Sequence, residues 1–198
     1  YTINLITTTG WNVTKSVVIK DKTYEFLGLG DETNPYSGTF TLDKNTSASQ
    51  YSITTSRALF NSLSTDAMLS NTIPFIISSE SSSEKPLLAE KLKKGSSDNK
   101  LTCNVVLREP NEGVSDAKIG GLIGTMETDT NADISFENTV NSALTVKGES
   151  HTGLFCNTME SGASLTATFT NTNNGKITVE AAANGADAGG FVGHMEDG

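Results

Sequence analysis

Cysteine, proline, tryptophan and arginine are all scarce in this chain, and each scarcity excludes something. Of 198 residues two are Cys, four are Pro and one is Trp. Cys103 and Cys156 stand far apart with no CxxC or Cys/His spacing, so no zinc or redox motif is present. They read as small buried residues, with a single disulfide as the alternative, and the sequence leaves open whether they are free. Four prolines against 18 glycines suit frequent tight turns, not a polyproline or collagen-like chain. Basic residues are few: 14 Lys and Arg face 23 Asp and Glu, giving a formal charge of −9 and a pI near 4.7. A phosphate backbone would meet no basic face, so nucleic acid is not an expected partner. No apolar run approaches the ~20 residues of a membrane span, and no heptad pattern persists. The start has neither a basic n-region nor an apolar h-region, so Tyr1 reads as the first residue of a mature or trimmed chain. Hydrophobic residues reach only 35%, and Ser and Thr, about a quarter of the chain, fill the deficit.

What is present is repetition. Gly120-Gly121-Leu122-Ile123-Gly124-Thr125-Met126-Glu127 returns as Thr152-Gly153-Leu154-Phe155-Cys156-Asn157-Thr158-Met159-Glu160, with Asn157 taken as an insertion. It returns again as Gly189-Gly190-Phe191-Val192-Gly193-His194-Met195-Glu196, and a degenerate copy lies at Ala58-Leu59-Phe60-Asn61-Ser62-Leu63. On this alignment Gly121, Gly153 and Gly190 share one position, and Gly124, Cys156 and Gly193 share another that takes only small residues. Between the copies Phe136 corresponds to Phe169, Asn138 to Asn171, Leu144 to Ile177 and Val146 to Val179, all at an offset of 33. A Leu-Thr-Val signature appears as Leu101-Thr102-Cys103, Leu144-Thr145-Val146 and Ile177-Thr178-Val179.

Within the repeat, Ile134-Ser135-Phe136-Glu137 and Leu165 to Thr170 alternate apolar and polar, the period of a strand and not of a helix. Strands this short cannot bury a face alone. If each unit winds once round an axis, equivalent strands stack at ~4.8 Å and their inward side chains form columns. The expected fold is therefore all-β, a right-handed parallel β-helix (solenoid) with an irregular N-terminal cap and one inserted short helix.

Gly-Gly-Leu-Ile-Gly (120–124) and Gly-Gly-Phe-Val-Gly (189–193) resemble the short GLUG-motif repeat of bacterial extracellular and cell-surface adhesin-like proteins. Tyr36-Ser37-Gly38-Thr39-Phe40-Thr41-Leu42-Asp43, with Tyr51-Ser52-Ile53 and Leu59-Phe60, resembles the lead-in to such repeats. The resemblance covers roughly residues 36–198, and Cys156 and the copy at 58–63 depart from it. It implies a right-handed β-helical region of a larger extracellular protein, and it carries over no catalytic residue.

Two regions follow. Residues 1–57 lack the period and read as a cap plus irregular first coils, with Trp11 a candidate cover for the open end of the core. Residues 58–198 read as GLUG-like coils with a loop/helix insert at about 79–99. Phe75 and Leu101 are 26 positions apart, against 8 between Phe136 and Leu144, which suggests about 18 inserted residues. Pro86 through Gly95 carries a helix's first-turn proline, a capping glycine, a Glu90–Lys94 pair and Leu88 with Leu92 on one face. The chain stops just after a repeat begins, which reads as a piece of a longer protein or as a last coil completed by another chain.

Few constellations suggest chemistry. Asp129, Asn131 and Asp133 have the spacing of the first ligands in a calcium loop. Ile134 and Val140 replace the glycine and glutamate that complete an EF-hand, so an acidic surface turn is the plainer reading. His151 and His194 fall before and after their glycine strands, without an evident acidic or serine partner. Arg57 and Arg108, the only arginines, lie at no acid-rich position, so lyase or hydrolase chemistry is not expected. Thr166, Thr168, Thr170 and Thr172 form an outward row, but the preceding coil supplies Asp133, Ser135, Glu137 and Thr139, which breaks an ice-binding array. The sequons at Asn12 and Asn45 matter only in a eukaryotic secretory route.

The expectation is a non-enzymatic segment, extracellular or at the cell surface, serving adhesion or a structural stalk, with no cofactor. Its partner would be a host, glycan or protein receptor that the sequence does not name. A carbohydrate-binding or polysaccharide-processing β-helix and an end-to-end self-assembling fibre subunit are the alternatives.

Overall fold

The computed structural model describes residues 3–6, 16–19, 22–25, 28–42, 52–53, 58–69, 72–76, 84–108, 116–172 and 175–197. Their regular structure is entirely β. In chain order the strands are β1 (Ile3–Ile6), β2 (Ser16–Ile19), β3 (Lys22–Glu25), β4 (Thr39–Leu42), β5 (Ser52–Ile53), β6 (Phe60–Ser64), β7 (Met68–Leu69), β8 (Ile73–Ile76), β9 (Ala89–Lys93) and β10 (Leu101–Arg108). They continue with β11 (Asp116–Ile119), β12 (Ile123–Met126), β13 (Asn131–Asn138), β14 (Ala143–Val146), β15 (Thr152–Gly153), β16 (Cys156–Met159), β17 (Ser164–Asn171), β18 (Ile177–Val179), β19 (Ala188–Gly189) and β20 (Val192–Met195).

Three walls of parallel strands define a β-solenoid of about four turns, with strand orders β6-β9-β12-β16-β20, β8-β10-β13-β17 and β11-β14-β18. Alternating residues point inward. β13 buries Ala132, Ile134, Phe136 and Asn138, while Asn131, Asp133, Ser135 and Glu137 lie on its outer side. Register places Phe136 beside Phe169, Asn138 beside Asn171, Leu144 beside Ile177 and Val146 beside Val179, as the 33-residue period predicts. The rings of Phe136 and Phe169 lie 5.6 Å apart, and Phe155 meets Phe136 edge-on at 6.2 Å.

The period is not constant along the chain. Phe60, Ala89, Ile123, Cys156 and Val192 share one ladder at steps of 29, 34, 33 and 36 residues. The copy at 58–63 therefore stacks as expected. The short helix does not form. Residues 89–93 are β9, and Leu87, Leu88, Ala89 and Leu92 are buried in the core. A two-turn helix pays for nucleation with few hydrogen bonds. Here the segment instead pairs with β6 on one side and β12 on the other, placing Leu92 between Leu63 and Met126. Lys94 pairs with Asp98, and Lys85 lies 4.0 Å from Glu90, in place of the helical Glu90–Lys94 pair.

The apparent 18-residue insert dissolves with the helix, because it rested on a mistaken equivalence. Leu101 pairs with Ala132 in the long-strand wall, and Ala117 pairs with Leu144. Ile73, not Phe75, occupies the Phe136 column through Val105. Leu101-Thr102-Cys103 is thus no counterpart of Leu144-Thr145-Val146.

Two further assignments move by one residue. Gly153 pairs with Gly189, leaving Gly190 exposed with open space where a Cβ would stand. Cys156 stacks between Ile123 and Val192, so Asn157, not Cys156, stands opposite Gly124 and Gly193. Gly121 alone of the expected trio has a positive φ, 81°, and a Cβ there would lie 2.4 Å from the Gly153 carbonyl oxygen.

Upstream, bridges from Leu29 to Phe60 and from Tyr36 to Leu63 lay another partial coil on the stack. The rings of Tyr36 and Phe40 rest on Phe60 at 5.1 and 5.8 Å. β4 is parallel to β7 but antiparallel to β1, and β2 is antiparallel to both β3 and β5. Trp11, Arg57 and the sequon residues Asn12 and Asn45 lie outside the described residues.

Candidate functional site

The one concentration of metal-ligating side chains among the described residues lies at the corner between β15, β19 and β20. Thr152 pairs with Ala188 and its amide donates to the Asp187 carbonyl at 3.0 Å, so His151 and Asp187, the residues just before β15 and β19, are brought side by side. His194 arrives on β20, where it pairs with Thr158. Gly193 makes the approach possible: a Cβ on it would lie 2.6 Å from the amide nitrogen of Thr152. Likewise a Cβ on Gly153 would lie 2.6 Å from the Gly193 nitrogen.

With the backbones this close, the His151 and His194 rings stack at 4.6 Å with 20° between their planes. Asp187 Oδ2 lies 2.7 Å from His194 Nδ1 and 3.6 Å from His151 Nδ1. The Asp187 amide donates to His151 Nδ1 at 3.3 Å. All three side chains are partly exposed. The absence of an acidic partner for either histidine, expected from the sequence, is overturned. His151 and His194 occupy different positions of the repeat, and the folded corner makes them adjacent. One signal was available: His151 and Asp187 are separated by 36 residues, the same step that joins Cys156 to Val192.

Asn157 supports the corner from within. It is buried, its Nδ2 donates to the Gly120 carbonyl at 2.9 Å, and its Oδ1 accepts from the Gly153 amide at 3.1 Å. One side chain thereby ties two successive coils and satisfies two backbone groups that water does not reach.

The other sequence candidates are dispersed or committed elsewhere. Asp133 is bound to Lys100 at 2.8 Å, and Asp129 is a turn residue with φ 58°. Asn131 begins β13, opposite Ser164. Thr166, Thr168 and Thr170 pair with Asp133, Ser135 and Glu137, so the threonine row stops at one coil. Cys103 and Cys156 are free and buried, and burial pushes both thiols up to about 12.

Charge is arranged along the walls. Glu32 accepts from Lys91 and Lys93, each at 2.8 Å, and Lys93 also reaches Glu127 at 3.2 Å. The hydrogen bonds from Lys91 and then Lys93 hold the Glu32 carboxyl down to about 2. Lys147 with Glu84, and Lys85 with Glu149, continue the pattern beside the histidine corner. Comparison with family models, with curated proteins and with solved structures finds no match to this chain.

Proposed function

We propose that this chain is a non-enzymatic β-solenoid segment of an extracellular or cell-surface protein, acting in adhesion or as a structural stalk. The observation that carries the reading is the continuous register of β8, β10, β13 and β17, which makes a stiff wall with a polar outer side. A wall of this kind holds side chains such as Ser135, Thr168 and Glu137 at fixed spacing, as a recognition surface or spacer requires. The likeness of residues 120–124 and 189–193 to the GLUG repeat supports a bacterial surface protein.

The test is to apply the immobilised chain to glycan arrays and host-cell surfaces while assaying polysaccharides for new reducing ends. Binding without depolymerisation is expected of an adhesive surface. Release of reducing ends would replace this reading with a carbohydrate-processing β-helix.

A second reading, an end-to-end self-assembling subunit, is favoured by the last coil. Phe191 and Met195 are 50% and 66% exposed there, and Phe169, Ile177 and Val179 are only partly buried. Sedimentation at several concentrations separates the two: a mass that rises with concentration supports the fibre subunit.

A further inference from the structure

We infer that His151, Asp187 and His194 form a binding site for a divalent transition-metal ion of the zinc class. Their candidate ligand atoms all lie within 4.8 Å of one another. A tetrahedral ion bound at about 2.0–2.2 Å sets its ligand atoms roughly 3.3–3.5 Å apart. The 2.7 and 3.6 Å separations of Asp187 Oδ2 from the two Nδ1 atoms bracket that value, and small side-chain rotations of partly exposed groups supply the remainder.

Proton bookkeeping favours a cation. A backbone amide can only donate, so the Asp187 N–H fixes His151 Nδ1 as an acceptor carrying its lone pair. Asp187 Oδ2 lies 3.6 Å from the same nitrogen, which then has no proton to offer it. His194 Nδ1, by contrast, can meet the same oxygen through a proton. Three donor atoms thus converge on a space where one proton satisfies only one pair. A metal ion would accept from all three, displacing the Asp187 N–H from His151 while the His194 proton moves from Nδ1 to Nε2 through solvent.

The donor set selects the ion. Two imidazoles with one carboxylate suit zinc, nickel, copper or cobalt, whereas calcium and magnesium require more oxygen ligands. Three protein ligands leave a fourth position for water or an outside group. The ion would join the residue before β15 to the residue before β19 and to β20, stapling the final, least buried coil to the one before it. This inference stands independently of the adhesive reading.

The chain contains only two histidines, so the imidazole resonances of the untagged protein are a direct readout. Zinc titrated into the full chain should shift or broaden both histidines together and saturate at one equivalent. It should also raise the thermal midpoint by roughly a few degrees, while millimolar calcium or magnesium leaves both readouts unchanged. His151→Gln, His194→Gln and Asp187→Asn, each checked for fold by circular dichroism, should weaken binding at least ~10-fold. Cobalt bound to the wild-type chain should give d–d absorption that the variants lose. If zinc leaves the two histidines unshifted, or binds a His151→Gln/His194→Gln double variant equally well, the site is refuted without dependence on any variant that fails to fold.

Discussion

Asn138 donates from Nδ2 to Oδ1 of Asn171, 3.0 Å away and one turn of the solenoid later. Its own Oδ1 accepts from the Val140 amide at 3.3 Å, and Asn171 passes a further bond to the Gly175 carbonyl at 3.4 Å. Asn138 is buried and Asn171 exposed, and the amide pair favours one register, because a shift by one residue would set Thr170 or Thr172 opposite Asn138 and turn the inward side chains of β17 outward. Asn138→Ala should therefore cost about 1–3 kcal/mol, the penalty for the Val140 amide losing its acceptor. Urea unfolding followed by circular dichroism measures this. A change below a few tenths would show that the pair contributes little.

The aromatic column gives a graded prediction. Phe136 is buried between Phe155 and Phe169, so Phe136→Ala should cost about 3–5 kcal/mol. Phe169 sits on the less covered final coil, so Phe169→Ala should cost clearly less. Equal losses would mean that the last coil is as well packed as the interior.

How much of this was legible depended on coil length. Between Phe136 and Val179 the coils differ by 33 residues, and a fixed offset found every stacked pair. Between Phe60 and Ile123 the steps are 29 and 34, so no single offset holds there, and the Leu-Thr-Cys of 101–103 resembles Leu144-Thr145-Val146 in its letters while Leu101 stacks on Ala132 in another wall. Leu87-Leu88-Ala89 lacks the glycines of its sister copies, and its Leu88–Leu92 spacing imitates a helix face. Tertiary pairing on both edges overrode that local pattern. Gly189 and Gly190 are indistinguishable as letters, and only the ladder chooses between them. The histidine corner was only half legible: the 36-residue step could have joined His151 to Asp187, but His194 occupies an unrelated motif position and comes close where Gly193 lets the backbones approach.

Both thiols should be inert in the folded chain. Burial holds Cys103 and Cys156 up to about 12, so almost no thiolate exists at pH 8. A chromogenic disulfide reagent should detect no thiol in the native protein and two per chain in denaturant. Rapid reaction of either in the native state would mean that its wall opens.

Acid should weaken the chain in a defined window. The Glu32 carboxyl is depressed from 4.5 to about 2 by Lys91 and Lys93, so its contribution is present above the unfolded value and lost as pH falls from there toward 2. Asp31 and Asp66 are shifted in the same direction, by the Asn34 and Thr33 amides and by Ser96 respectively. Lys93, raised by Glu32 and Glu127, mirrors this at the alkaline end, where its contribution is lost as pH rises above 10.5. Glu32→Gln should melt slightly below wild type at pH 7, and the gap should close near pH 2 or in molar salt. A gap that persists under both conditions would assign the effect to packing.

The unequal steps along one ladder have an engineering consequence. A wall that accepts coils of 29 and 36 residues with unbroken pairing must discharge every surplus residue at its vertices. The stretch at 181–186 is such an outlet, mostly exposed and turned by Gly185, which has nothing within 4 Å of a would-be Cβ. A foreign peptide grafted there would be displayed on a rigid scaffold, and a tandem series of such grafts could be spaced like rungs.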